Sequence, residues 1–214
     1  MRIKHPRTFH LPWSQGVTSD DKVLTSTEAL LSRPVLVTEK MDGENTSLYT
    51  TGFHARSIDS RHHPSRDWLA QFHAGIAHDI PVGWRICGEN LYARHSLGYT
   101  SLPTYFMGFS VWNEHNECLA WDDTLEVFAC LGITPVPALM QGQVTEADLR
   151  KLAREMDLSQ HEGFVVRPLE AFAYDEYATK VGKFVRKGHV QTDKHWAHQA
   201  VIPNGLAELE PALG

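Results

Sequence analysis

The stretch that organises the chain reads Val35-Leu36-Val37-Thr38-Glu39-Lys40-Met41-Asp42-Gly43-Glu44-Asn45. Its pattern predicts a short strand that ends at Lys40, then a tight turn, then a second strand that begins at Thr46. Alternation along a strand places Leu36, Thr38 and Lys40 on one face. We therefore expect the amine of Lys40 to lie at the lip of a pocket, where the strand stops.

A lysine amine in such a place is a nucleophile only when part of it is neutral. The pKa of free lysine is about 10.4, and burial or neighbouring cations would have to lower it. The rest of the sequence must therefore supply an enclosed pocket and charged partners for Lys40.

The whole chain has the size and composition of one domain. It has 214 residues, 42% of them apolar, and a net charge of −6, which still allows a local basic groove within an acidic surface. We assign residues 1–200 to a single domain that begins with an irregular arm over residues 1–17. Residues 201–214 are expected to be a loosely held tail, and we expect no separate C-terminal nucleic-acid-binding domain.

Cysteine usage and hydropathy favour a cytoplasmic protein. Cys87, Cys118 and Cys130 are widely spaced and form no CxxC pair, as is typical of reduced, mostly buried thiols. The N-terminus lacks the apolar segment of a signal peptide. No apolar run approaches the roughly 20 residues of a membrane span, so we expect no membrane partner.

Alternating and aromatic runs predict mostly antiparallel strands. A hairpin is expected over residues 46–57, with its turn at Thr51-Gly52. Further strands are expected over residues 84–91, 105–112, 162–168 and 179–187. Because strands do not alternate strictly with helices, the pattern favours an α+β fold, with largely antiparallel sheets and helices on their outer faces.

Capping residues and apolar periodicity predict the helices. Five are expected: from Ser19 to Pro34, from an N-cap at Ser65 to about His78, from Asp122 or Asp123 to Gly132, from the capping box Thr145-Glu146-Ala147-Asp148 onward, and from about Thr192.

Charged residues recur at the ends of these strands. Glu89 and Glu162 lie at the ends of apolar strands, and Arg56 or Arg61 follows the hairpin. Carboxylates, a divalent metal and cations together suit a polyphosphate substrate, because the metal and the cations neutralise charge on the phosphates. A cationic neighbour would also depress the pKa of Lys40. The last predicted strand supplies a cluster of such cations: Lys180, Lys183, Arg186 and Lys187.

In this order the charged residues resemble the motifs of the covalent nucleotidyltransferases, a superfamily of ATP-dependent DNA and RNA ligases and mRNA capping enzymes. Lys40-Met41-Asp42-Gly43 resembles the KxDG nucleophile motif of that superfamily. Further segments match in order between about residues 35 and 190: Arg56-Ser57, Cys87-Gly88-Glu89, Phe106-Met107-Gly108-Phe109, Glu162-Gly163-Phe164-Val165 and Lys183-Phe184-Val185-Arg186-Lys187.

Within this superfamily the sequence is most similar to the ATP-dependent RNA ligases. An acid directly before the lysine, Glu39, and an asparagine five residues after it, Asn45, are favoured by the RNA ligases of the phage-repair type. His10-Leu11-Pro12-Trp13-Ser14 and residues 189–196 also resemble segments of a bacterial and phage RNA ligase group.

The resemblance implies a three-step reaction with ATP and Mg²⁺ or Mn²⁺. Lys40 would attack the α-phosphate of ATP, the AMP would pass to the 5′-phosphate of an RNA end, and a 3′-hydroxyl would then seal the strand. Glu89 would hold the ribose and Phe109 would stack on adenine. The implied site residues are Lys40, Glu162 and Lys183 for catalysis, Glu162 and Glu89 for the metal, and Glu39, Asn45, Arg56, Glu89, Phe109, Arg186 and Lys187 for the nucleotide.

Several alternatives stay open from the sequence. Ser110 stands where many relatives have an acid, and either Arg186 or Lys187 could meet the α-phosphate. A DNA ligase, a capping guanylyltransferase or a nucleotide- or RNA-binding module without ligase activity would share the lysine motif. The kind of RNA substrate, the oligomeric state and a partner such as an end-processing kinase or phosphatase are also open. The thirteen histidines, with His62-His63 as the first candidates, supply no complete set of metal ligands.

Overall fold

The computed structural model describes residues 2–60, 62–188 and 201–208. These residues contain twelve strands: β1 (Phe9–His10), β2 (Val35–Lys40), β3 (Glu44–Tyr49), β4 (Gly52–Ala55), β5 (Arg85–Asn90), β6 (Phe106–Trp112), β7 (Glu117–Cys118), β8 (Thr134–Pro135), β9 (Ala138–Gly142), β10 (Gly163–Pro168), β11 (Phe172–Ala173) and β12 (Gly182–Val185). They also contain five α-helices: α1 (Glu28–Leu31), α2 (Asp67–Ile76), α3 (Trp121–Leu131), α4 (Glu146–Glu155) and α5 (Tyr177–Lys180).

The strands form two sheets, which confirms the expected α+β fold. The first sheet has the order β1-β12-β10-β2-β9, and the second has the order β11-β7-β6-β5-β3-β4 with β8 beside β6. Among the named strands, β1 with β12 and β6 with β8 are parallel, and the other pairs are antiparallel. The predicted hairpin is β3 and β4.

The stretch over residues 35–45 joins the two sheets. As predicted, β2 ends at Lys40, and it lies between β10 and β9 in the first sheet. The chain then turns over residues 41–43 and enters β3 of the second sheet, two residues before the predicted start at Thr46. Residues placed at this turn are therefore fixed relative to both sheets.

Each sheet has its own apolar core on its helical side. In the first sheet, Val35, Val37 and Phe164 pack with Leu30 of α1 and Leu149 of α4. The second sheet is covered by α2 and α3. Its core consists of four strand residues, the predicted apolar face of α2 and two residues of α3: Leu48, Ile86, Phe106 and Val111 from the strands, Trp68, Leu69, Phe72 and Ile76 from α2, and Phe128 and Leu131 from α3. Burial of these apolar side chains is the main term that holds the helices on the sheets.

The expected helix from Ser19 to Pro34 is wrong for most of its length. Only α1 is helical, and Asp21 accepts hydrogen bonds from the backbone amide and the hydroxyl of Thr18 in a local turn. Val23 instead forms a bridge with His10. A short acidic side chain that bonds to nearby backbone favours such turns over a helix.

The irregular arm at the start of the chain also contains a short strand. Phe9–His10 forms β1, which adds to the edge of the first sheet beside β12. Trp13 then packs its ring against Phe164 and Phe184, at 6.3 and 5.4 Å between centroids.

Helix caps were predicted with mixed success. The capping box at Thr145 and Asp148 is present, and Gly132 ends α3 with a φ of 65°. Ser65 is not a cap, because it lies inside a short 3₁₀ turn whose preceding residue, His63, accepts its amide hydrogen. Ala120 precedes α3, so Asp122 and Asp123 lie within its first turn instead, where acids interact favourably with the helix dipole.

The C-terminal part differs from the expectation in two places. The predicted strand over residues 179–187 is shorter, because residues 177–180 form α5. Residues 201–208 are held rather than loose, with bridges from Ala93 to Pro203 and from Leu102 to Leu206. The helix expected from Thr192 and the motif at 189–196 lie outside the described residues. No helix in the described ranges is long and apolar enough to cross a membrane.

Candidate active site

A cavity of about 1160 Å³ opens between the two sheets at the end of β2. Its wall includes residues from both sheets and from the N-terminal arm. Seven of the predicted site residues line it: Glu39, Lys40, Asn45, Arg56, Glu89, Phe109 and Lys183. Segments that are far apart in sequence therefore meet at one place, as the motif order predicted.

The centre of the site is an ion pair between Lys40 and Glu162. Both carboxylate oxygens of Glu162 lie 2.7 Å from Nζ of Lys40. The Glu162 side chain is 0% exposed and that of Lys40 is 17% exposed. The register of β2 with β10 produces this contact, because Lys40 lies opposite Gly163, the residue after Glu162. A buried pair with this geometry strongly favours the charged ammonium.

The pKa of Lys40 is therefore raised, contrary to the expectation from sequence. Burial lowers the pKa of this amine, but the charge of Glu162, and after it that of Glu89, outweighs burial. The expected depression occurs at Lys183 instead. Burial, followed by the positive charge of Lys40, lowers the pKa of Lys183 to about 8.

Glu89 lies on β5, beside the turn that follows Lys40. Its Oε1 accepts a hydrogen bond of 3.2 Å from the amide of Gly43. Burial raises the pKa of Glu89 to about 8, although the charge of Lys40 lowers it. A carboxyl with this environment binds a proton or a cation readily at neutral pH.

Asn45 lies opposite Glu89 in the β3–β5 register. Its Oδ1 is buried and has no hydrogen-bond partner among the described residues. An unpaired buried carbonyl oxygen is costly, and such atoms are often satisfied by a ligand or water. Asn45 is thus equipped to accept a hydrogen bond within the cavity.

Glu39 and Phe109 also lie at the cavity wall. Glu39 is mostly buried, and its Oε1 lies 2.7 Å from Nδ1 of His161. Phe109 is partly buried, and its ring meets the edge of the His5 ring at 5.4 Å between centroids. The wall around Phe109 also includes Val165, so the site combines an apolar surface with charged groups.

The structure separates the remaining predicted cations. Arg56 lines the cavity, whereas Arg61 lies outside the described residues. Arg186 donates from Nη2 to the hydroxyl of Ser96 at 3.3 Å and does not line the cavity. Lys187 is exposed and does not line the cavity either. Lys180, the last residue of α5, pairs with Glu176, which directly precedes that helix, at 2.7 Å.

Sequence reasoning missed other residues at the site. Asp42 was quoted only as part of its motif, yet it is 3% exposed, and its Oδ2 accepts hydrogen bonds from Ser96 and Leu97. Arg66 forms a two-pronged ion pair with Glu44 at the cavity wall. The Asp42 position could have been assigned from the motif, whereas Ser96 and Arg66 belong to no recognisable pattern.

Two histidines from the arm also line the cavity. His5 is buried against Phe109 and Tyr177. Nε2 of His10 lies 3.5 Å from Asp21, and Nδ1 lies 2.9 Å from the hydroxyl of Ser14. His62 and His63 also line the cavity, where His62 pairs with the exposed Asp67 and Nδ1 of His63 lies 2.7 Å from the hydroxyl of Ser65. Neither residue of the His62-His63 pair therefore belongs to a metal ligand set among the described residues.

The family model for RNA ligase matches residues 33–185, so the chain belongs to the RNA ligase family. The match contains every segment that lines the cavity except those between residues 5 and 21. No curated protein matches the sequence.

Solved structures of polynucleotide ligases share this fold. An archaeal ATP-dependent RNA ligase is 17% identical, with a TM-score of 0.52 over 83% of this chain and 48% of its own. A mutant of the Naegleria gruberi RNA ligase without ligand is 16% identical, with a TM-score of 0.55 over 86% and 57%. A putative ATP-dependent DNA ligase from Aquifex aeolicus is 16% identical, with a TM-score of 0.53 over 86% and 50%. The chain thus spans about half the length of these ligases.

Proposed function

We propose that the protein is an ATP-dependent RNA ligase that joins a 5′-phosphate to a 3′-hydroxyl through a covalent AMP on Lys40. The observation that carries this proposal is the lysine at the end of β2, which lines a cavity with Glu89 and Lys183 and pairs with the buried Glu162. Membership of the RNA ligase family supports the reaction class.

In the first step Nζ of Lys40 attacks the α-phosphorus of ATP. A nitrogen–phosphorus bond forms, and the bond to the bridging oxygen breaks to release pyrophosphate. The ammonium must lose a proton for this attack, and Glu162, which accepts a hydrogen bond from Nζ at 2.7 Å, is placed to influence that loss. Lys183 and Arg56 at the cavity wall would stabilise charge on the phosphates.

In the later steps AMP passes from Lys40 to the 5′-phosphate of an RNA end, and the 3′-hydroxyl displaces it. Glu89 would hold the ribose, and Phe109 would stack on the adenine. Asn45, whose Oδ1 has no partner among the described residues, would contact the nucleotide or the RNA end. Of the two closing bases, Arg186 is nearer to the site through Ser96 and is our choice over Lys187.

The donor chemistry of the site fits a divalent metal. Glu89 and Glu162 would hold Mg²⁺ or Mn²⁺, which would neutralise charge on the phosphates. The described residues contain no group of three or more potential metal-binding side chains. Mg²⁺ is commonly held by one or two carboxylates, with substrate phosphates and waters as its other ligands. A mutant of the Naegleria gruberi RNA ligase was solved with ATP and Mn, which is consistent with this choice.

Transfer of label from nucleotide to protein tests the first step. Incubation with ATP labelled at the α-phosphate and Mg²⁺ or Mn²⁺ should tag the protein, and Lys40→Ala should remove the tag. Lys151→Ala is the matched control, because Lys151 is an exposed lysine on α4 that forms a surface pair with Glu155. Absence of label with either metal would reject the proposal. Label from GTP in place of ATP would favour a capping guanylyltransferase.

Sealing assays test the substrate. We expect joining of RNA with a 5′-phosphate and a 3′-hydroxyl, and much weaker joining of the same sequence as DNA. Nicked duplex, a broken loop and single strands should be compared at equal concentration. Preferential DNA sealing would favour a DNA ligase, and label without any joining would favour a nucleotide- or RNA-binding module.

We also propose a role in RNA repair. Ends that carry other phosphate groups would need a kinase or phosphatase before this reaction, so such an end-processing enzyme is the expected partner. None of the three cysteines is in a disulfide, which favours a reducing compartment such as the cytoplasm.

A further inference from the structure

The loop between β5 and β6, residues 91–105, closes on the turn that follows the nucleophile. The backbone amide of Asp42 donates a hydrogen bond of 2.8 Å to the hydroxyl of Tyr99. Oδ2 of Asp42 accepts from the hydroxyl of Ser96 at 2.7 Å and from the amide of Leu97 at 2.6 Å. One loop therefore holds both the backbone and the side chain of Asp42, two residues beyond Lys40.

Residues 201–208 hold this loop in turn. Asn204 is 5% exposed. Its Oδ1 accepts a hydrogen bond of 2.9 Å from the amide of Tyr99, and its Nδ2 donates to the carbonyl of Leu91 at 2.7 Å. The amide of Gly205 donates to the carbonyl of Tyr99 at 2.8 Å. The backbone of Tyr99 is thus bonded on both sides to residues more than one hundred positions later in the chain.

These contacts form a continuous chain from Asn204 through Tyr99 to Asp42. The loop has no regular helix or strand, and isolated backbone bridges join it to residues 201–208. The side chain of Asn204 adds hydrogen bonds to Tyr99 and Leu91 between these bridges. Loss of the Tyr99 hydroxyl would leave the buried amide of Asp42 without this acceptor, and such groups shift to find another. A shift of about 1 Å at a reacting group can cost on the order of 100-fold in rate.

We propose that Tyr99, held by Asn204, is a positioning residue that aligns Lys40 for attack on the nucleotide. The inference rests on the proposed function. Tyr99 lies within the family match, whereas Asn204 lies beyond its end at residue 185. Neither side chain acts on the nucleotide directly. Both act through the turn at residues 41–43, whose place between the sheets determines where β2 ends.

The same loop reaches the closing basic segment. The hydroxyl of Ser96 donates to Asp42 and accepts from Nη2 of Arg186. A hydroxyl can make both bonds at once. The loop over residues 91–105 therefore contacts both the turn at residues 41–43 and the basic segment that contains Arg186. This double contact gives a reason why Asn204 supports the loop.

The test measures the rate of label transfer from ATP for Tyr99→Phe, Asn204→Ala and the double variant. Tyr92→Phe is the matched control, because Tyr92 is in the same loop and its hydroxyl has no hydrogen bond with any described residue. Rates are divided by the folded fraction at the assay temperature, taken from circular dichroism. We expect Tyr99→Phe to lower the rate of label transfer at saturating ATP by about tenfold to 100-fold. The ATP concentration that gives half the maximal rate should change by less than about threefold. Tyr92→Phe should stay within about twofold of the wild type.

The double variant tests the link between the two residues. If Asn204 acts through Tyr99, the double variant should be no slower than the more severe single variant by more than about twofold. If the double variant instead loses rate by the product of the two single losses, Asn204 does not act through Tyr99. Three results for Tyr99→Phe would overturn the positioning role. They are a rate of label transfer equal to that of the wild type, a change only in the ATP concentration that gives half the maximal rate, and a loss of rate no larger than the unfolded fraction explains. Failure of the wild type itself to be labelled would instead reject the proposed function.

Discussion

At the scale of single residues, burial decides how several groups of the site bind protons. His5 lies in the cavity wall, where burial lowers its pKa to about 4 and the charges of Arg85 and Arg56 contribute. Burial also lowers the pKa of His10 to about 4, with the charge of Lys183 as the next cause. Both rings are therefore neutral at pH 7 and serve as packing and hydrogen-bonding groups.

These two histidines predict a loss of stability in mild acid. In the unfolded chain each takes up a proton near pH 6.5, whereas in the folded protein each does so near pH 4. Because the unfolded state then binds more protons, the free energy of unfolding falls as the pH drops from about 6.5 to 4. Each contributes on the order of 3 kcal/mol over that window.

Urea unfolding at pH 7 and pH 4.5 measures this effect. His5→Asn keeps a donor for the carbonyl of Pro6, which lies 3.0 Å from Nδ1 of His5, and should make the loss in acid smaller. His78→Asn is the control, because the side chain of His78 is 74% exposed, and its pH dependence should equal that of the wild type. An unchanged pH dependence in His5→Asn would contradict the prediction.

At the scale of elements, replacing two glycines by alanine should change the stability of the protein in opposite directions. Gly163 begins β10 with a φ of 152°, and an added Cβ would lie 2.0 Å from the carbonyl oxygen of Phe184. Gly163→Ala should therefore push β10 away from β12 beside the Lys40–Glu162 pair. We expect a loss of roughly 3 kcal/mol or more in the free energy of unfolding, together with loss of label transfer.

Gly75→Ala is the matched variant in a helix. Gly75 lies within α2, and an added Cβ would meet nothing within 4 Å. Because alanine loses less backbone entropy on folding than glycine, this change should stabilise the protein by about 0.5–1 kcal/mol. Thermal unfolding of both variants should show a lower midpoint for Gly163→Ala and a slightly higher one for Gly75→Ala. Equal midpoints would contradict both arguments.

Elements with a strong pattern were predictable from sequence, and so was much of the site. β2, β6 and β10 were expected close to their bounds because apolar and aromatic runs between turn residues are distinctive. The Thr145 capping box was predictable because both partners lie within one turn. The acids near Asp21 have the same local signal, but a bridge from Val23 to His10 competes with the helix.

The parts of the site that were not predictable depend on contacts distant in sequence. Motif order correctly brought Lys40, Glu89 and Lys183 together. It could not show that the nearby carboxylates raise the pKa of Lys40 more than burial and cations lower it. That balance depends on the register of β2 with β10, which places Glu162 beside Lys40. Tyr99 and Asn204 carry no pattern at all, because their contacts appear only when residues 201–208 return to the loop.

At the scale of the whole molecule, the thiols report on the packing of the second sheet, because Cys87 and Cys118 lie in one of its buried clusters. Cys130 is exposed on α3, whereas Cys87 and Cys118 are buried, and burial raises the pKa of both buried thiols. A thiol reagent such as Ellman's reagent should therefore react quickly with one cysteine of the native protein and with three after denaturation. Cys130→Ser should remove the fast reaction. Two fast-reacting thiols in the native protein would contradict the packing of Cys87 or Cys118.

The ion pair at Lys40 has a consequence for unwanted chemistry in the cell. An ammonium has no lone pair, so an amine kept protonated by Glu162 and Glu89 reacts slowly with metabolites such as aldehydes, cyanate or acyl phosphates. Exposed lysines have no such protection beyond their ordinary basicity. Under the proposed function, the same carboxylates would preserve Lys40 from permanent modification until a nucleotide enters the cavity.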